Sequence, residues 1–191
     1  MKKNSILLIM AMLILTLTGC AQHKSEKNED YYGEIIAGLG DEEQFALEDI
    51  GEKNDVLFTT DATYDDGFAH DAALYCNIYY AMDGKTYHLG RIESMGTAYP
   101  ISYGKKCIYT ASQHSWEIYV IDTSDHKLVL KEQYETVYGE DDEVSYLRLK
   151  DGTEEAVSEE DYLKIYEEYQ QSYVISFGYG ASTRSPSGMQ Y

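Results

Sequence analysis

Carboxylates are the most crowded groups in the chain that could do chemistry. Asp49, Glu52, Asn54 and Asp55 share one short stretch, and Asp61, Asp65, Asp66 and Asp71 share the next. Oxygen donors at that density are what a hard cation such as calcium takes. The register is wrong for an EF-hand loop, which needs ligands at alternate positions, a glycine at the sixth and a glutamate at the twelfth. The sequence therefore predicts solvated acidic loops. Asp49, Asp61, Asp65 and Asp66 are kept as weak candidates for a cation, and no cofactor is expected.

Histidines and cysteines are the next groups to weigh. His70, His88, His114 and His126 are scattered, with no i, i+4 pair and no Cys-x-x-Cys spacing, so a zinc-type centre is not indicated. His114 stands apart because it sits between Gln113 and Ser115 in an expected turn between two strands. Nucleophilic catalysis needs a serine or cysteine beside an oriented base, and contexts such as G-x-S-x-G are missing. No catalytic residue is predicted, and the protein is expected not to be an enzyme. The alternative is a hydrolase of envelope or extracellular polymer built from a cysteine and a distant histidine. Cys76 and Cys107 both fall in expected strands; an oxidising exterior permits a disulfide between them, and two small buried thiols are the alternative.

The compartment is read from the N-terminus. Lys2 and Lys3 precede an uncharged apolar run from Ile6 to Leu17, shorter than the roughly 20 residues of a spanning helix. This predicts a signal peptide over residues 1–19. The run closes on Leu17-Thr18-Gly19-Cys20, which resembles a bacterial lipobox. That resemblance implies that Cys20 carries the lipid (palmitate and a second acyl chain) and becomes the new N-terminus. Two acyl chains suffice for stable anchoring. Residues 20–29 then read as a flexible tether, and the protein as extracytoplasmic, held to the cell membrane through lipid on Cys20.

Charge excludes one class of partner. The chain carries a formal net charge of -19, and losing residues 1–19 removes two lysines and no acid, giving -21. Backbone recognition of nucleic acid needs a basic face, so nucleic acid is excluded. A protein or envelope ligand remains. What is left after cleavage is long enough for one domain with a real core, expected over residues 30–177, with a disordered tail over 178–191.

The elements that must position these groups are mostly strands. Asp83-Gly84 lies between two β-prone runs within residues 71–100 and predicts a central hairpin. On its first strand Cys76, Ile78 and Tyr80 form an apolar face, and the other face is expected to meet water. Further strands are expected at Gln44–Ile50, Asp55–Thr60, Cys107–Ala111, Trp116–Asp122, Lys127–Tyr138 and Val144–Lys150, with Asp151-Gly152 ending the last hairpin. Tyr31 to Ile36 reads as a short helix or turn. Ser158 announces a helix over Glu159–Gln171, with acids in its first turn and Tyr162, Ile165, Tyr166 and Tyr169 on one stripe. A last strand is expected over Tyr173–Phe177. The fold class is thus α+β: mainly an antiparallel β meander with one C-terminal amphipathic helix packed on the sheet. Most of the twenty tyrosines fall at strand positions where β-propensity favours them.

The stretches GRIESMGTAYP, CIYTASQHSWEIYVID and AVSEEDY, together with the lipobox, resemble a family of small uncharacterised extracytoplasmic lipoproteins of Gram-positive bacteria. The resemblance covers roughly residues 44–177, and its most specific pieces are Gly96 to Pro100 and His114. It implies a sheet-based, membrane-tethered domain and lends no activity. In an antiparallel meander the Gly96–Pro100 connection and the Gln113–Ser115 turn return to the same end of the sheet. Tyr99 and His114 are therefore the candidate binding corner.

Overall fold

A computed structural model describes residues 29–68, 71–140 and 143–178. The expected signal peptide, Cys20 and most of its tether, His70 and nearly all of the expected tail lie outside the described residues. The chain runs α1 (Glu29–Ala37), β1 (Gln44–Glu48), β2 (Val56–Thr60), β3 (Thr63–Asp65), β4 (Asp71–Ala73), β5 (Tyr75–Met82), β6 (Lys85–Glu93) and β7 (Ser102–Gly104). It continues through β8 (Cys107–Ala111), β9 (Ser115–Asp122), β10 (Lys127–Tyr138), β11 (Val144–Lys150), β12 (Thr153–Val157), α2 (Glu159–Gln170) and β13 (Tyr173–Val174). No helix among the described residues is long and apolar enough to cross a membrane.

All strand pairing is antiparallel, but the meander is divided. One sheet has the order β1-β2-β5-β6, a second the order β12-β11-β10-β9-β8-β7-β13, and β3 and β4 form a separate ribbon. Sequence supplies the reason in strands that have no polar face. Every residue of β2 and of β8 is buried, so both strands must be covered from two sides. Val56 and Phe58 of β2 join Cys76, Ile78 and Tyr80 of β5 and Ile108 of β8 in one buried cluster, which lies between the two sheets. Leu57 turns the other way and clusters with Tyr32 and Ala81.

The second face of the central hairpin is therefore not simply solvated, because α1 lies against it. Tyr32 is fully buried; its hydroxyl donates to the Asp55 carbonyl at 2.6 Å and accepts the Ala81 N–H at 3.0 Å. The stretch read as a short helix or turn from Tyr31 to Ile36 is a helix, and the described residues hold two helices. The hairpin turn itself forms as Asp83-Gly84 predicts, with φ of 50° and 74°, the left-handed pair of a primed two-residue turn.

Helix α2 begins where its cap signals place it. The Ser158 side chain accepts the Asp161 N–H at 3.1 Å, and Glu159, Glu160 and Asp161 fill the first turn, where carboxylates meet the positive end of the helix dipole. Its buried residues Tyr162 and Tyr169 share a cluster with Cys107, Tyr109, Trp116 and Tyr134. The last expected strand contracts to Tyr173–Val174. Ordered pairing nevertheless reaches Gly178, whose N–H donates to the Phe45 carbonyl at 3.1 Å.

Candidate binding groove between β12 and α2

Arg148 and Glu155 sit opposite one another in the register of β11 and β12, and Tyr134 sits opposite Arg148 in that of β10 and β11. The three side chains form a row across the strands on one face of the sheet, since cross-strand partners point the same way. Asp161, Lys164, Ile165 and Glu168 recur at helical spacing along α2. Row and stripe together line a recess of about 440 Å³, with Val157 and Ser158 also in its lining.

The charges in this groove are mutually engaged. Arg148 Nε donates to Glu155 Oε1 at 2.8 Å, and a second guanidinium nitrogen reaches the same oxygen. The guanidinium is held protonated first by Tyr134 and then by Glu155. Lys164 lies 3.0 Å from Asp161 and 3.2 Å from Glu160, which raises the ammonium above its ordinary range and depresses the Asp161 carboxyl. Below the row, Glu132 is 9 % exposed and accepts from Tyr134 Oη at 2.7 Å and from Lys150 Nζ at 2.9 Å. Burial opposes its charge, but these two donors outweigh it and hold the carboxyl below the usual range. Burial and the adjacent carboxylate push the Tyr134 hydroxyl up to about 12. A buried carboxylate supported in this way fixes the geometry of β10 against β11 rather than serving as a free base.

Tyr99 and His114, the pair expected to form a binding corner, each meet a different ring. The Met95 N–H donates to the Ala111 carbonyl at 2.9 Å and the Ala111 N–H to Ser94 Oγ at 2.9 Å, which joins the connection after β6 to the end of β8. Gly96, at φ 111°, makes the bend. Tyr99 meets Trp116 edge-on at 5.7 Å, and the exposed His114 meets Tyr138 edge-on at 5.3 Å. A recess of about 260 Å³, lined by Glu93, Met95, Thr110, Ser112, Ser115 and Glu117 among others, opens on the face of β8 and β9 opposite to Trp116, and neither Tyr99 nor His114 lines it. Ser112 and Ser115 share a hydrogen bond at 2.8 Å, and Glu117 accepts from Thr110 Oγ1 and Tyr119 Oη at 2.9 and 2.7 Å.

The remaining candidates are placed as follows. Cys76 and Cys107 are free and buried, the first in the cluster between the sheets and the second in the cluster that includes α2. The disulfide weighed from the sequence is not formed, because the two thiols belong to different layers. Burial pushes both thiols up, away from the thiolate form that attacks carbonyls or disulfides. Asp49 Oδ1 accepts the Gly51 N–H at 2.9 Å, Asp65 Oδ1 that of Gly67 at 2.8 Å, and Asp66 Oδ1 that of Phe68 at 2.7 Å. Asp61 accepts from the Tyr75 hydroxyl. These carboxylates shape turns, and no group of three or more histidine, cysteine or acidic residues that could hold a metal forms among the described residues.

Sequence reasoning missed Tyr134, Arg148, Glu155, Lys164 and Glu168 as site residues. They come from four separate elements, and only the topology brings them together. The chain matches no family model, no curated protein and no solved structure.

Proposed function

We propose that this protein is a lipid-anchored extracytoplasmic domain that binds a partner at the cell envelope without transforming it. In this reading Cys20 carries the lipid and residues up to about 29 tether the domain. Helix α2 covers one face of the larger sheet and forms the wall of the binding groove. The observation that carries the reading is the groove itself, a recess of about 440 Å³ in which Arg148 pairs with Glu155 and Lys164 with Asp161. Such groups exchange partners with an incoming ligand and fix its orientation. A hydrolase would place a titratable base beside a nucleophile. Here the rings of His88, His114 and His126 meet Tyr79, Tyr138 and Tyr87, and both thiols are buried.

The test uses the full chain in its native host. A photo-crosslinking residue is placed at Ile165 in the groove and, as a control, at the remote and exposed Thr123. A discrete adduct from the groove position alone is expected, and equal or absent adducts at both would overturn the binding reading. Cys20→Ala should move the protein from the membrane to the medium or periplasmic fraction. Continued membrane association of that variant would overturn the lipid anchor.

A further inference from the structure

We infer that β12 accepts a further strand, an extended partner segment carrying lysine or arginine at alternate positions. The inference rests on the groove being a binding site and names how that site is filled.

Sheet edges differ in how well they are closed. At one end of the larger sheet β13 has two residues, and in the smaller sheet β1 meets Gly178 while β6 carries an extra residue at Leu89 that breaks its ladder. β12 is different. It pairs with β11 over five residues without a register shift, and no strand among the described residues lies on its other side. Thr153 to Ala156 are all exposed. Asp151 and Gly152, at φ of 50° and 74°, form a primed two-residue turn, so Lys150 and Thr153 are a hydrogen-bonded pair. Antiparallel alternation then aims the N–H and C=O of Glu154 and of Ala156 away from β11. That is the template for strand addition.

Alternation also decides where the side chains of an added strand go. One set falls on the groove side, where the three acids Glu155, Asp161 and Glu168 stand against the two cations Arg148 and Lys164 and leave a single net negative charge. The other falls on the opposite face, where Glu135 and Glu154 flank Leu147 and Leu149 in a second, shallow recess of about 50 Å³. Thr153 to Asp161 holds five acids, Glu154, Glu155, Glu159, Glu160 and Asp161, and no cation. A second copy of β12 would set glutamate against glutamate between two chains of formal charge -19, so charge rejects self-pairing and selects a basic segment.

The probe is a short synthetic peptide of alternating lysine and valine, titrated by fluorescence anisotropy against the full-length lipidated protein in neutral vesicles at physiological salt. Saturable binding is expected. Methylating alternate peptide nitrogens on the edge-facing side keeps every charge and removes the strand hydrogen bonds, and should weaken binding about tenfold or more. Ala156→Pro removes an outward N–H without touching the β11 ladder and should do the same, and Glu154→Lys should also weaken the lysine peptide. Absent binding, or equal binding by the methylated peptide, overturns the inference; the second arm needs no protein variant to fold. If the Ile165 adduct forms in cells but survives Ala156→Pro, the groove binds and strand addition is wrong. If no adduct forms at all, the binding reading itself has failed.

Discussion

Trp116 donates its indole N–H to the hydroxyl of Tyr162 at 2.8 Å, within a buried cluster shared by β9 and the first turns of α2. Trp116 is 5 % exposed and Tyr162 9 %, so water has little access to either partner. Removing the Tyr162 hydroxyl leaves the indole donor buried without its acceptor, at a cost of about 1–3 kcal/mol. Tyr162→Phe should therefore lower urea stability by that amount. As the chain has one tryptophan, its emission should report the change directly. An unchanged unfolding midpoint and spectrum would show that the hydrogen bond does not hold the helix in place.

Acid should act on Glu132 in a stated direction. Its carboxyl lies below the ordinary range because Tyr134 and Lys150 together overcome the cost of burial. A depressed carboxyl stabilises the fold above its unfolded value, about 4.3, and that contribution fades as pH falls through the folded value. Glu132→Gln should be less stable than the parent at neutral pH and lose less on descent from pH about 5 to about 2. Urea midpoints along that descent check it, and parallel curves for the two proteins would show that Glu132 does not contribute to acid sensitivity.

Local chemistry was legible where a single residue decides the backbone. Asp83-Gly84 gave its turn and Ser158 its helix start, since each rests on a conformational or hydrogen-bonding rule that holds without tertiary contacts. Layering was not legible, because a fully buried β2 has no alternation to say which neighbour covers which face. β12 was missed for the opposite reason: Thr153–Val157 is exposed along nearly its whole length, so it shows no apolar period, although Asp151-Gly152 announces a turn with something to pair beyond it. The groove followed from that omission. Arg148 and Glu155 become neighbours only once β12 folds back on β11.

The turn between β7 and β8 offers a gain in stability. Lys105 and Lys106 occupy left-handed backbone at φ of 50° and 65°, a region that side chains with a Cβ enter at a cost. Asparagine and glycine fit such a turn better. Lys105→Asn with Lys106→Gly should raise stability by about 1 kcal/mol, offset in part by loss of the exposed contacts to Glu168 and Glu52 at 3.4 and 3.8 Å. Such surface pairs contribute little. A fall in the thermal midpoint would mean that the lysines, rather than the backbone, determine this turn.

Thiol chemistry distinguishes two free cysteines from a bonded pair. Cys76 is fully buried and Cys107 is 7 % exposed, and burial raises both thiols, so an aromatic disulfide reagent should find little thiolate in the folded protein. Reaction should be slow, proceed through Cys107 first, and become fast for both thiols in denaturant. Lys131 beside Cys107 favours its thiolate, which adds to the difference in access. A bond between these positions would close a long loop and stabilise the fold by several kcal/mol, so reductant would then lower the thermal midpoint steeply. With two thiols in separate layers, reductant should leave the midpoint unchanged. Cys76→Ala should lower it through a cavity between the sheets, whereas Cys107→Ala, at the more accessible position, should lower it less.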